Sequence, residues 1–348
     1  MSQQNSKTSL DLPWKLRLFI SVMSAVSDAS RRSNVTVNRR LFNLVDLKSP
    51  PSNNPTNGVT TSDITVDASR NLWFRLYTPA ASASTSVDNV IKFPVIVFFH
   101  GGGFAFFRAN SKPFDNFCQR LARELPAVVI SVDYRLSPEH KHPKQYEDGI
   151  DTLRFLDSVS FERLCPPCAD LRRCFLAGDS AGANIAHHVA LLANDYDFRT
   201  LNLTGLISIQ PFFGGEERTE SELRLAGAPV ISIERTDWTW KAFLPQGSDR
   251  DHPSVNVFGP NSADISGVKF PATIVFVGGF DPLQDWQKRY YLGLKKSGKE
   301  ACLIEYPNGF HTFYGFPEVP ESSLFIKEVR NFMQAQSPQS PESSFKSL

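Results

Sequence analysis

The first place where this chain could do chemistry is a serine between two glycines, Gly178-Asp179-Ser180-Ala181-Gly182. A short apolar run, Cys174–Ala177, precedes it and a helix-like stretch, Ala183–Asn194, follows, so the segment reads strand, sharp turn, helix. A turn that sharp strains the serine backbone, and side chains two residues away on either side would collide; hence the glycines. It lifts the Ser180 hydroxyl beyond the strand end. It also sets the Ser180 and Ala181 amides at a helix N-terminus, where partial positive charge favours an oxyanion. A second motif, His100-Gly101-Gly102-Gly103-Phe104, directly follows the apolar run Val95–Phe99. Three successive glycines expose bare amides to a substrate oxygen, so the two motifs together read as a nucleophile with an oxyanion hole.

A serine hydroxyl needs a base to take its proton and an acid to orient that base. In chains with this elbow the partners follow in the order Ser, acid, His. After the run Ala272–Val277 comes Gly278-Gly279-Phe280-Asp281-Pro282-Leu283, which places Asp281 in a strand-end loop. After Leu303–Tyr306 comes Asn308-Gly309-Phe310-His311, which places His311 in the next. Of seven histidines only His311 lies beyond Asp281. His187 and His188 fall inside the helix after the elbow and read as packing or surface residues. His140, His142 and His252 sit in Pro-containing loops and read as structural. Asp281 also fits a helix N-cap before Gln284, a role compatible with the catalytic one.

These loops need a scaffold. Val95–Phe99, Ala127–Val132, Cys174–Ala177, Leu206–Gln210, Ala272–Val277 and Leu303–Tyr306 are apolar runs of the kind buried on both faces of a sheet. Helix-like stretches Pro113–Leu125, Tyr146–Ser158, Ala183–Asn194, Gln284–Lys296 and Glu321–Gln334 separate or follow them. Such alternation predicts an α/β fold, a mostly parallel sheet flanked by helices. Asp63–Asp67 and Leu72–Tyr77 read as an antiparallel pair ahead of it. At the N-terminus, Leu16, Phe19, Ile20, Met23 and Val26 form a helical stripe that Asp11 and Pro13 could start, rather than a cleaved signal. The expected organisation is an N-terminal lid over residues 1–58, a main domain over 59–336 with a cap insertion at about 212–260, and a disordered Ser/Pro-rich tail from 337 to 348. A small-residue loop covers Ala80–Ser86.

Composition narrows the function. Thirty-seven basic and 36 acidic residues give a net charge of +1, with no block of one sign, so nucleic acid and anionic membrane surfaces are not indicated. No stretch reaches 18 consecutive apolar residues, so no transmembrane helix is expected. The 28 phenylalanines point to a large aromatic core or an aromatic-lined pocket. Five cysteines are too few and too odd for a disulfide scaffold and suit a reducing compartment, cytoplasmic or nuclear. Cys165-Pro166-Pro167-Cys168 with Cys174 looks like part of a zinc site but lacks a fourth ligand, so no metal is expected. No dinucleotide or phosphate-loop pattern opens a helix, and no cofactor is implied. Asn34-Val35-Thr36 and Asn202-Leu203-Thr204 read as chance tripeptides.

His100–Phe104, Asp133-Tyr134-Arg135-Leu136-Ser137-Pro138-Glu139-His140, Gly178–Asn184, Asp281-Pro282-Leu283 and His311-Thr312-Phe313 together resemble the plant carboxylesterases of the hormone-sensitive-lipase-like branch of the α/β-hydrolases. The one departure at the elbow is Ala183, where many members carry Gly. The resemblance implies Ser180, Asp281 and His311 as catalytic triad, and Gly102, Gly103 and Ala181 as oxyanion amides. Phe104, Trp238 and Phe243 are expected to line the substrate pocket. Asn38-Arg39-Arg40, Pro55–Val59 and Asp237–Pro245 are also similar to the plant gibberellin receptors, in which the N-terminal helix closes over the hormone and the catalytic His is lost. This chain keeps His311 and has Thr239 where those receptors place a pocket Tyr. The expected function is hydrolysis of small carboxylic esters, of plant metabolites or xenobiotics, without cofactor; protein partners are unspecified. A non-catalytic ligand-binding protein of the receptor kind, or acyl transfer, elimination or cyclisation at the same site, remains the alternative.

Overall fold

The computed structural model describes residues 12–80 and 91–336. Asp11, most of the small-residue loop and the tail from 337 lie outside the described residues. Eight strands form one sheet: β1 (Val59–Asp67), β2 (Leu72–Pro79), β3 (Phe93–Phe99), β4 (Val128–Asp133), β5 (Ala169–Asp179), β6 (Leu203–Ile209), β7 (Ala272–Phe280) and β8 (Ala301–Phe310). Their spatial order is β1-β2-β4-β3-β5-β6-β7-β8. β1 and β2 pair antiparallel, β2 pairs antiparallel with β4, and every later pairing is parallel. The antiparallel pair expected from sequence is therefore the edge of the main sheet.

The helices are α1 (Trp14–Ser30), α2 (Arg39–Phe42), α3 (Lys112–Glu124), α4 (Lys144–Leu156), α5 (Val159–Glu162), α6 (Ala181–Leu192), α7 (Glu220–Arg224), α8 (Ile233–Phe243), α9 (Gln284–Lys296) and α10 (Pro320–Ala335). They cover both faces. On one, Ile150, Leu153, Ile185 and Val189 pack on Val97, Leu176 and Leu206. On the other, Phe117, Leu121, Phe325 and Val329 pack on Ile96, Phe98, Ala177 and Phe276. This two-sided burial is why the strands read as unbroken apolar runs instead of alternating ones.

Two boundaries differ from the sequence reading in ways that matter. β5 begins five residues before Cys174, because its first half is only partly buried and carries the Arg173–Asp170 ion pair (2.9 Å), which masks it as a strand. β6 stops at Ile209, and Gln210 turns away with a φ of 43°. The segment between β6 and β7 holds α7 and α8.

Register explains the placement of the site. Phe99 lies opposite Gly178, Gly178 opposite Ser208, Ile209 opposite Phe276, and Phe280 opposite Phe310. The residues just past these strands, His100, Ser180, Gln210, Asp281 and His311, consequently share one edge of the sheet. Parallel strands bring every carboxyl end to the same side, which is where such sheets carry their sites.

The first turn of α6 meets β3 so closely that a Cβ on Gly182 would fall on the Phe99 carbonyl. Backbone cannot yield as a side chain can. Gly182→Ala should therefore destabilise the fold by about 3 kcal/mol, the upper part of the usual overpacking range, measured by urea denaturation. A change within about 0.5 kcal/mol, the spread of ordinary surface substitutions, would contradict this account of the elbow.

Candidate active site

Ser180 sits between β5 and α6 with φ 53° and ψ −118°, a backbone conformation that costs a non-glycine residue about 1–3 kcal/mol. Its surroundings hold it there. The Ser180 N–H donates to Ile209 O (2.9 Å), and the Ser180 carbonyl accepts from Phe212 N–H (3.0 Å) and Ala183 N–H (3.1 Å). Gly178 lies against the Gly182 backbone, so a side chain there would force the turn open.

His311 and Asp281 meet in the buried layer beside it. His311 Nδ1 lies 2.7 Å from Asp281 Oδ2, with both side chains almost fully enclosed. A carboxylate accepts, so Nδ1 carries the proton and Nε2 is left as the basic nitrogen. Asp281 is fully engaged: Oδ2 also accepts from Gln210 Nε2 (3.0 Å) and Gln287 Nε2 (2.8 Å), and Oδ1 accepts from Leu283 N–H (3.0 Å). The last bond is the turn-capping role, made alongside the contact to His311.

The glycine loop after β3 is fixed from several sides. Gly102 and Gly103 have φ of 103° and 60°, and Phe104 follows at 59°. Gly101 N–H donates to Asp179 Oδ1 (2.7 Å), and Tyr314 Oη donates to Asp179 Oδ2 (2.5 Å). Ser137 N–H donates to Phe104 O (2.9 Å), and Arg39 donates to the Ala105 carbonyl, to Ser137 O (2.7 Å) and to Glu139 (2.6 Å). His100 is buried, stacks on Tyr134 with centroids 4.3 Å apart, and is held down to about 3, mainly by desolvation, so it is neutral.

Ser180, His311, Gly102, Gly103 and Asp179 all line one cavity of about 580 Å³. Its walls are aromatic: Phe106, Phe107, Phe114, Phe117, Phe212 and Phe316. α1 closes one side with Phe19, Ile20 and Met23, and α8 contributes Thr239, whose methyl abuts Gly103. The predicted stripe on α1 is buried at Leu16 and Ile20, half-buried at Met23 and Val26, and 46 % exposed at Phe19, which sits on the rim. Arg235 on α8 pairs with Asp28 on α1 (2.7 and 2.9 Å), pinning the helix across the opening.

The three aromatics expected in the pocket are elsewhere. Phe104 and Phe243 are wholly buried and stack on each other, centroids 3.8 Å apart, behind the glycine loop. Turning Phe104 to positive φ drives its ring into the core. Trp238 donates from Nε1 to Arg32 O (3.0 Å) and lies under the Arg31 guanidinium, so it braces the N-terminal segment. The cavity phenylalanines Phe106, Phe107 and Phe114 carried no sequence signal beyond their proximity to the glycine loop. His187 is buried and His188 half-buried; both are packing residues, against Tyr290 (3.0 Å) and Tyr146 (4.4 Å between centroids) respectively. Burial pushes the Cys165 thiol up to about 11 and Cys174 up to about 12. Among the described residues no cluster of His, Cys, Asp or Glu could hold a metal, and no helix is long and apolar enough to cross a membrane.

Residues 96–315 match the family model for the alpha/beta hydrolase fold. The chain belongs to the α/β-hydrolase family. Its relatives include gibberellin receptors and carboxylesterases. A gibberellin receptor of Arabidopsis thaliana is 40 % identical, covering 93 % of this chain and 95 % of the receptor. Carboxylesterase 20 of the same plant is 36 % identical over 86 % of this chain and 92 % of its own length. The 3-O-acetylpapaveroxine carboxylesterase of Papaver somniferum is 33 % identical over 78 % and 88 %. Among solved structures, an ester hydrolase from the metagenome of Lake Arreo superimposes with TM-score 0.70 at 26 % identity, covering 93 % of this chain and 99 % of that one.

Asp179 supplies a test of this geometry. Complete burial outweighs its hydrogen bonds and raises its carboxyl from 3.8 to about 6. Between those values the folded protein holds a proton that the unfolded chain has released, so this group's contribution to stability falls as pH rises from about 4 to 6. Asp179→Asn cannot ionise. Its melting temperature relative to the native protein should climb across that interval and level off above it, whatever its fixed offset. A pH-independent difference in melting temperature would show that Asp179 is not held in a desolvated, proton-retaining site.

Proposed function

We propose that this protein is a serine carboxylesterase, with Ser180 as nucleophile, His311 as base and Asp281 as the acid that orients it. The observation that carries this reading is the 2.7 Å His311–Asp281 contact on the same cavity as a serine in a strained strand-to-helix turn. In this reading His311 Nε2 takes the Ser180 proton as the hydroxyl attacks the ester carbonyl. The tetrahedral oxyanion is held by the amides of Gly102, Gly103 and Ala181, donors fixed in advance beside an apolar cavity. His311 returns the proton to the departing alcohol, and water attacks the acyl-enzyme by the same route. No metal or cofactor takes part in this sequence. The aromatic walls favour an apolar acyl or alcohol group, and the carboxylesterase relatives supply the substrate class, small carboxylic esters.

Residues 1–58 act in this reading as a lid, and 212–260 as the cap on which it rests. A second reading is supported by α1 lying over the cavity and by the gibberellin-receptor relatives: a ligand-binding protein that does not turn over its ligand. A pure binding protein has no need of a base keyed to a buried carboxylate, which is why the esterase reading is preferred.

Ser180→Ala should cut kcat/KM for p-nitrophenyl acetate by about 10⁴-fold or more, given what removal of a triad serine costs, with the fold intact by circular dichroism. An organophosphate should label the native protein at Ser180 and leave the variant unlabelled. Unchanged turnover in the variant would refute the assignment of Ser180.

The lid has its own test. Replacing Phe19 and Met23 together by Ala removes apolar contact at the cavity without touching the reacting groups. KM for a naphthyl ester should rise about five- to thirtyfold, the worth of roughly 1–2 kcal/mol of lost burial, while KM for an acetate-sized ester stays within about twofold. Equal changes for both esters would mean that α1 only shields a flank.

A further inference from the structure

Gln210 stands one residue past β6, fully buried and at φ 43°, a left-handed conformation that favours glycine. Its backbone N–H donates to Phe276 O (3.0 Å). Its side-chain amide makes three further bonds. Nε2 donates to Asp281 Oδ2 (3.0 Å) and to the Phe310 carbonyl (3.1 Å), and Oε1 accepts from Thr312 N–H (2.8 Å). These partners fix which way the amide points, since a carboxylate and a carbonyl only accept and a backbone N–H only donates. Phe310 and Thr312 are the residues on either side of His311. One side chain thus grips the His311 loop on both flanks and joins it to the carboxylate that His311 meets. A Cβ on Gly278 would lie 2.8 Å from Gln210 Nε2 and 2.5 Å from Gly309 O, so the β7 and β8 ends close tightly round the amide. Gln287 also donates to Asp281, but its Oε1 has no partner and it has no bond to the His311 loop. Burying an amide and straining a backbone both cost stability, and here both costs fall at the one position that reaches all three points.

We propose that Gln210 is a positioning residue for the reaction: it sets the separation of His311 and Asp281 and holds the imidazole with Nδ1–H on Asp281, leaving Nε2 as the base. The inference rests on the esterase reading of Ser180, His311 and Asp281. Two substitutions separate its parts. Gln210→Met keeps the length of the side chain and removes all three bonds. Gln210→Glu keeps the shape but replaces the donor to Asp281 with an oxygen. The added negative charge favours the imidazolium, so the base becomes neutral only at higher pH.

The experiment measures kcat and KM for p-nitrophenyl acetate per active site, titrated with an organophosphate, across the pH range, in native protein and both variants. Gln210→Met should lose about 10- to 100-fold in kcat, as expected of a misplaced base, with KM within about twofold. Gln210→Glu should move the acidic limb of kcat/KM upward by about one pH unit. In parallel, nuclear magnetic resonance with nitrogen-labelled histidine follows the far-downfield His311 Nδ1–H, assigned by its absence from His311→Ala. That proton should be sharp in the native protein and broadened or shifted upfield in Gln210→Met. This second readout needs no turnover. If the native protein hydrolyses no ester, the esterase reading fails while the resonance still decides the clamp. Native kcat per titrated site in both variants, with an unmoved resonance and pH limb, would overturn the proposal even if the variants melt earlier.

Discussion

Everything at the C-terminal edge of the sheet depends on one strained residue. Ser180 holds a backbone conformation that an isolated chain would leave at once, and it does so because three neighbours deny it room to relax. Its amide is tied to Ile209, its carbonyl to Phe212, and the α6 helix is pressed against β3 with no space for a side chain on Gly182. Strain of this kind persists only where the surroundings over-determine it. Because α6 is held so close to β3, the helix N-terminus, the glycine loop and the serine become parts of one rigid turn. Asp179 extends that rigidity, carrying the Gly101 amide on one oxygen and Tyr314 on the other.

The second requirement is an apolar, shaped space. Charge developing on an oxygen is stabilised more where water competes less, and the phenylalanine walls with α1 along one side give this cavity a mostly apolar lining. The same enclosure would serve a protein that only binds. Relatives of both kinds match nearly the whole of this chain, so what bears on the choice is the set of groups beneath this chain's own cavity. There His311 is paired with Asp281, and four donors converge on that one carboxylate, the arrangement on which the esterase reading rests.

Much of this arrangement is legible in the chain because each candidate side chain follows an apolar run. Parallel strands make the ends of those runs coincide, so Ser180, Asp281 and His311 could be brought together from their order alone. The first half of β5 is hidden in the sequence because Arg172 and Arg173 interrupt its apolar pattern, although a half-buried strand tolerates them. The pocket aromatics were misplaced for a related reason. Phe104 directly follows the glycine loop in sequence, but its positive φ, which turns its ring into the core against Phe243, has no signature in a non-glycine residue. Gln210 carries no sequence signal, because a single polar residue at a strand end looks like any boundary. Its meaning appears only when the His311 loop, a hundred residues later, folds against it.

The central claim is that Ser180 becomes acylated and is then released by water. The direct measurement is rapid-quench hydrolysis of p-nitrophenyl acetate with mass analysis of the intact protein and its Ser180 peptide. A transient gain of one acetyl group on Ser180 is expected, formed and lost at rates consistent with steady-state turnover and absent from His311→Ala on the same timescale. Ester turnover with no acyl group on Ser180 at any time under rate-limiting deacylation, or a native protein that binds apolar esters without cleaving them, would contradict it.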